Sequence, residues 1–356
     1  MKKKKIDFFI AASTDFEKFN YDMAYFSGYG GVGALIVPKN GWPFLIVPEM
    51  EAKRAKRGRI RVYSSKKVRL FEFVKEKVKQ KGIKSNRIGV NKEEFTLLLK
   101  DSLKKWFKKS RLVDLRKELY KIREQKTKEE IKIIRKGCEI SDGILKNCFR
   151  DFKRFKTEAE AKAFLENETK KKGCEIAFPT IVASGVNSSE VHHSTEDTGL
   201  KKGFCVIDFG IRHKGYCTDT TRTIYLGKPT KNEIEIYNFL LGVQIDAVKN
   251  VGLNIRCGKI FDRVKKNLGK YAKYFTHGLG HGFGVRVHEL PNLTEKSKDR
   301  IKENSVFTIE PGIYLKEFGI RIEDDILVMK NEPEILTKIS KKLTTIQQWR
   351  KDHGKV

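Results

Sequence analysis

Residues 204–211 read Phe-Cys-Val-Ile-Asp-Phe-Gly-Ile and residues 217–226 read Cys-Thr-Asp-Thr-Thr-Arg-Thr-Ile-Tyr-Leu. Both runs are rich in β-branched and aromatic residues. Arg-His-Lys-Gly at 212–215 supplies turn chemistry between them, so the pair is expected to form a β-hairpin. If His213 and Lys214 are the two loop residues, Asp208 falls directly opposite Asp219. Like charges so opposed destabilise a hairpin. A divalent cation between them is one remedy, because carboxylate oxygens suit hard or borderline metals. A different register, with both carboxylates solvated at strand ends, is the other.

Further acid and imidazole follow downstream. Six of the seven histidines fall between His192 and His288, and three of them sit in twelve residues: His277-Gly-Leu-Gly-His281-Gly-Phe-Gly, then His288-Glu289. A zinc-binding helix is excluded there, since four glycines at about 1 kcal/mol each would break it. A phosphate loop needs a strand before and a helix after, and neither flank is apparent. The segment is expected to be a loop whose glycines let the backbone pack tightly around an inward-reaching histidine. Val306-Phe-Thr-Ile-Glu310-Pro-Gly is an alternating strand ended by a Pro-Gly turn, and Gly319-Ile-Arg321-Ile-Glu323-Asp-Asp is a second, with Arg321 and Glu323 on one face. Apolar neighbours put part of this acidic face inside, and a buried carboxylate must be paired or coordinated. A salt bridge from Arg321 to Glu323 would serve, alone or beside a metal.

Around this acidic half the chain alternates helix and strand. Residues 1–120 carry β-rich runs at 7–12, 34–37, 44–47, 60–63, 87–90 and 111–114, and helical patterns at 72–80 and 92–107. Asn40-Gly41 between two apolar runs signals a hairpin. Capping boxes of Thr127 with Glu130, Thr157 with Glu160 and Thr230 with Glu233 open amphipathic helices. Strand patterns at 178–182, 204–211, 220–226, 306–310 and 320–328 make the rest a mixed α+β unit with long antiparallel strands. Two domains are therefore expected, an α/β unit over residues 1–120 and an α+β unit over 121–356, in keeping with a length of 356 residues.

The net charge of +30 invites a nucleic-acid reading. It is concentrated at +17 over residues 1–120, and the basic runs 53–61 and 104–111 hold little aromatic interleaving beyond Trp106 and Phe107. A solvated basic face accounts for it better, and nucleic acid is not expected as a partner. No apolar run reaches the ~18 residues of a membrane helix. Lys2–Lys5 imitate the start of a signal peptide, but Asp7 interrupts the short apolar stretch, so secretion is not expected. The six cysteines include no Cys-x-x-Cys pair; they read as buried thiols of a reducing cytoplasm.

The motifs in chain order, Val-Ile-Asp208-Phe-Gly, Thr-Asp219-Thr-Thr-Arg-Thr, Gly-His281-Gly, Ile-Glu310-Pro-Gly and Arg321-Ile-Glu323-Asp, resemble those of the pita-bread metallopeptidases. Within these, the N-terminal α/β unit and the linker residues Arg123, Lys126, Glu130 and Ile131 resemble the Xaa-Pro branch, prolidase and Xaa-Pro aminopeptidase, whose N-terminal domain is creatinase-like. The resemblance covers nearly the whole chain. It implies a pita-bread catalytic domain with two divalent ions, manganese or cobalt foremost and zinc or iron next, held by Asp208, Asp219, His281, Glu310 and Glu323. A hydroxide bridging the ions would attack the carbonyl of an Xaa-Pro bond, with Glu310 as base and then acid. His192, His277 and His288 would position substrate or stabilise the oxyanion, and Arg321 would steady Glu323 or a substrate carboxylate. Where the family reads Pro-His-Gly this chain reads Val191-His192-His193, and the spacing from Asn187-Ser188 favours His192 as the inward residue. The resemblance further implies a homodimer acting on proline-containing peptides, with dipeptides slightly favoured. The competing reading is a non-catalytic pita-bread protein whose basic surface binds nucleic acid or protein, and the complete ligand set speaks against it.

Overall fold

A computed structural model describes residues 4–56, 60–65, 69–330 and 332–346, and the chain divides by internal contacts into Met1–Ile122 and Arg123–Val356. In the first unit the six β-rich runs all become strands of one sheet. Its order is Arg61–Ser65, Phe44–Pro48, Gly33–Pro38, Phe8–Ser13, Arg87–Val90, Arg111–Asp114. The three central strands pair antiparallel and the outer ones join in parallel. Phe8, Ile10, Ile36 and Ile46 pack on one face with the helices Leu70–Gln80 and Leu97–Trp106. Phe9, Ala11, Leu35 and Val47 pack on the other. Burial on both faces explains why these strands are nearly continuous in apolar residues. The helix expected over 92–107 starts only at Leu97, where Thr96 accepts a hydrogen bond from the Leu99 N–H. Helix Tyr21–Ser27 was not legible as a periodic run. It is set by Asn20, whose side chain accepts from Met23 N–H, and ends at Gly28 in the left-handed region.

The second unit is built on the quoted hairpin, Gly203–Phe209 against Thr220–Leu226. Its register corrects the expectation. The loop is Lys214-Gly215, both at positive φ, and Asp208 pairs with Thr221 rather than with Asp219. Cys205, Ile207 and Phe209 enter a core formed with helices Lys128–Asp151 and Glu158–Lys171, so alternation turns Asp208 to the opposite face. A second core holds helices Lys231–Lys249 and Cys257–Leu268 against Phe307, Ile309, Ile320, Ile322 and Ile326. Capping boxes close at Thr127 and Thr230. At Thr157 only half of one forms, because the Glu160 carboxylate accepts instead from the Lys156 N–H.

Two expected long strands are interrupted. The run at 204–211 breaks at Gly210, and the run at 320–328 splits into Gly319–Arg321, paired with Gly312–Tyr314, and Asp324–Val328, paired with Val306–Ile309. The run at 178–182 becomes a strand only from Ile181, over Ile181–Ser184. The glycine-rich loop around His281 is itself a strand, Gly280–Gly282. Side chains on either glycine would run into neighbouring carbonyls: an added Cβ would lie 2.0 Å from Thr308 O at Gly280 and 2.0 Å from Leu290 O at Gly282.

Candidate active site

The interruptions bring the acidic residues together. Glu323 lies in the gap between the two half-strands, its N–H donating to Thr221 O (3.2 Å) and its carboxylate accepting from the Thr221 hydroxyl (2.7 Å). Thr221 is the cross-strand partner of Asp208, so this contact places Glu323 beside Asp208. Asp219, just before the second strand of the hairpin, is held through its N–H by the buried Asp325 carboxylate (3.1 Å). Asp208, Asp219 and Glu323 thereby offer ligand oxygens all within 4.8 Å of one another. His281 closes the cluster, its Nε2 3.5 Å from Asp219 and 3.5 Å from Glu310.

Charge is badly compensated here. Asp219 and Glu323 are pushed well above the carboxylate range, first by burial and then by neighbouring carboxylates. Burial lifts Glu310 to about 7, with Asp208 adding to the rise and Arg321 opposing it. The buried Oδ1 of Asp208 has no hydrogen-bond partner among the described residues. His281 Nδ1 faces the Gly282 carbonyl (3.3 Å), which can only accept, so the proton sits on Nδ1 and the Nε2 lone pair is turned to two carboxylates. Burial, then His288, depresses this imidazole to about 3. Lone pairs converging on a buried centre suit bound cations and little else, and a set of one imidazole and four carboxylates suits divalent transition metals.

The other expected residues sort differently. Arg321 forms no ion pair with Glu323. It bonds Asp208 (2.6 Å), the Tyr314 hydroxyl (2.7 Å), the Val191 carbonyl (3.2 Å) and Thr221 (3.1 Å), so each nitrogen of its guanidinium has a protein partner. His277 donates from Nδ1 to Gly278 O (2.7 Å) and accepts from the Tyr314 hydroxyl (3.0 Å). Its pKa falls to about 4, chiefly through burial and then Arg321. His288 packs edge-on to His281 with ring centroids 4.2 Å apart. His192 and His193 both line the same cavity as His277 and His288, and the His193 imidazole is bound by Glu158 (2.9 Å) and Glu190 (3.1 Å). The cavity has a volume of about 560 Å³, within the range of small-molecule sites, with the carboxylate cluster in its wall.

These features coincide with the results of comparison. Residues 132–330 match the model of metallopeptidase family M24, and residues 1–125 match the creatinase/prolidase N-terminal domain. The chain belongs to metallopeptidase family M24. Among curated M24 relatives, the Xaa-Pro dipeptidase of Pyrococcus horikoshii is 36% identical over 351 residues, covering 96% of each chain. That of Pyrococcus furiosus is 36% identical over 330 residues, covering 90% of this chain and 91% of its own. Among solved structures, the X-Pro aminopeptidase of Thermotoga maritima matches with a TM-score of 0.89 at 30% identity, covering 96% of this chain and 98% of that one. The prolidase of Pyrococcus horikoshii matches at 0.86 and 33%, covering 96% and 97%. The M24 fold is the pita-bread architecture, joined here to the creatinase-type N-terminal domain, and the protein is a peptidase.

Several residues of this M24 site had no signal in the sequence. Thr221 is one threonine of Asp219-Thr-Thr-Arg until the register is known, and Tyr314 is an ordinary strand aromatic until Arg321 and His277 are found on its hydroxyl. The linker residues Arg123 and Lys126, noted in the sequence only as part of the resemblance, clamp Glu289, at 3.3 Å and 3.5 Å, and so hold the backbone next to His288.

Proposed function

We propose that this M24 metallopeptidase hydrolyses Xaa-Pro peptide bonds, dipeptides ahead of longer peptides, with two divalent cations held by Asp208, Asp219, His281, Glu310 and Glu323. The observation that carries the reading is the convergence of ligand atoms from Asp208, Asp219 and Glu323, three carboxylates of which only Asp208 is paired with a protein cation, Arg321, with His281 Nε2 turned to Asp219 and Glu310 beside them. The names of the relatives, Xaa-Pro dipeptidase and X-Pro aminopeptidase, support the substrate class. A prolyl bond lacks an N–H and carries a constrained ring, so general peptidases handle it poorly.

When bound, the cations would lower the pKa of water and polarise the scissile carbonyl, which removes the need for a serine or cysteine nucleophile. Glu310, hydrogen-bonded to Thr308 and adjacent to His281, takes the proton of the attacking water and delivers it to the leaving prolyl nitrogen. His192 and His288, exposed in the wall of the cavity, donate to the carbonyl oxygen as it gains charge. His277, neutral and fixed between Gly278 and Tyr314, orients Tyr314 and through it Arg321, which holds Asp208 in place. Manganese or cobalt is the expected metal, with zinc and iron as competitors for the same donors. Six free, buried cysteines support a cytoplasmic setting. A homodimer is the expected assembly, to be checked by sedimentation.

The deciding experiment compares hydrolysis of Xaa-Pro and Xaa-Pro-Yaa peptides under manganese, cobalt and zinc in turn. Asp219→Ala and Glu310→Ala should each lose bound metal and activity together. Full activity in either variant, or turnover only of peptides without proline, would overturn the reading.

A further inference from the structure

The proposed ligands are not all held alike. The N–H groups of Glu310 and Glu323 donate to backbone carbonyls, those of Leu279 (2.9 Å) and Thr221 (3.2 Å), and that of His281 donates to the Thr308 hydroxyl (3.1 Å). Asp219 rests instead on a carboxylate. It stands between strands Tyr216–Cys217 and Thr220–Leu226, with no ladder partner of its own. The N–H groups of Cys217 and Thr218 go to Gly284 O (2.7 Å) and Ile211 O (2.9 Å), and that of Asp219 goes to Asp325 Oδ2 (3.1 Å).

Asp325 is fully buried and follows Asp324 in strand Asp324–Val328, so the two side chains leave opposite faces. Asp324 is neutralised by Arg222 and Lys341. Asp325 pairs with no cation among the described residues, and its buried Oδ1 has no hydrogen-bond partner there. The other side-chain contact of its Oδ2 is the thiol of Cys138, which donates at 3.3 Å. Cys138 lies fully buried in helix Lys128–Asp151. The helix comes this close because residue 137 is glycine: an added Cβ there would stand 2.9 Å from Cγ2 of Thr218, so a larger residue would push the helix off the segment that carries Asp219.

Burying an uncompensated carboxylate is costly. What Asp325 provides in return is a hold on one peptide, and the orientation of that peptide sets where the Asp219 oxygens fall relative to Asp208 and Glu323. We propose that Asp325 is a positioning residue for the cation site, acting through the Asp219 backbone, and that Cys138 keeps Asp325 in place. The inference rests on the two-cation reading given above.

The test titrates the purified protein with cobalt(II) alone, followed by its visible bands and by stoichiometry. Thermal midpoint in chelator, and kcat and KM on an Xaa-Pro dipeptide, are measured for the same variants. Asp325→Ala should weaken cobalt binding about 10-fold, the lower end of the usual scale when a group that orients a metal ligand is lost, and should alter the bands. Its kcat should fall with KM little changed. Asp325→Asn keeps an acceptor for the Asp219 N–H and should stay within about threefold of wild type. Cys138→Val removes the donor and should shift the bands in the direction of Asp325→Ala, while Cys138→Ser should restore them; this pair decides the matter if Asp325→Ala does not fold. Wild-type affinity and bands in Asp325→Ala or in Cys138→Val, whatever the thermal midpoint, would make the role merely structural and overturn the proposal. Equal losses in Asp325→Asn and Asp325→Ala would overturn it too. In all these cases wild type still binds cobalt and the reading of the site stands. A wild type that binds no cobalt would sink that reading, and this inference with it.

Discussion

Asp219 illustrates what a single residue contributes and what it costs. Its carboxyl is held above its ordinary range by burial and by Glu323 and Asp208, so the metal-free fold binds more protons than the unfolded chain between the two pKa values. Stability of the metal-free protein then falls as pH rises from the unfolded carboxylate range, near 4, towards neutrality. In chelator, Asp219→Asn should remove part of that slope and give a higher urea midpoint than wild type at pH 7, with a smaller difference at pH 5, while abolishing activity. An unchanged midpoint at pH 7 would show that the site is not electrostatically strained. The acidic residues proposed as ligands stood out in the sequence, because carboxylates among apolar strand residues are unusual, and the resemblance to the family grouped them. The partners of Arg321 were not. Two residues' separation suggested Glu323, yet the strand ends between them, and the guanidinium turns to Asp208 across the hairpin.

At the scale of elements, the central hairpin is joined to the half-strand Asp324–Val328 by buried Arg222. Its guanidinium bonds Asp324 (2.8 Å), Ile339 O (2.9 Å) and the Thr221 and Glu323 carbonyls. Asp324 also accepts from Gln244, Thr337 and Lys341. Despite the opposing effect of burial, Arg222 and Lys341 keep its carboxyl below the usual range. Arg222→Leu should destabilise the protein by about 3–5 kcal/mol, since it leaves Asp324 short of its main counter-charge and takes a donor from three carbonyls. Arg222→Lys should recover little, because one ammonium cannot reach the same set of acceptors. Urea unfolding at pH 7 measures both. The helices opened by Thr127, Thr157 and Thr230, the two that pack on the N-terminal sheet and most strands could be read from periodicity and capping signals, whereas Tyr21–Ser27, Arg116–Glu124 and Cys257–Leu268 could not. The breaks could not, because a strand leaves one sheet for another according to what packs against it.

Over the whole molecule the +30 charge and the acidic centre are separate matters. The excess is greatest in residues 1–120, while the carboxylates that gather into the centre lie between 208 and 323. Any association of the protein with RNA should be weak, insensitive to sequence, and lost steeply as salt rises towards the physiological range, as a titration with labelled RNA would show. Sequence-selective binding persisting there would reopen the competing reading. The sequence by itself carried the two-part organisation, the hairpin and the acidic and imidazole residues proposed as ligands, since these depend on local patterning, on the rarity of acid among apolar strand residues and on the order of motifs that resembles the family. Only the tertiary structure decided the register that sets Asp208 against Thr221 and the pairing of Arg321 with Asp208. Those arise from contacts between segments up to about a hundred residues apart, where packing and charge compensation, rather than local preference, select the partner.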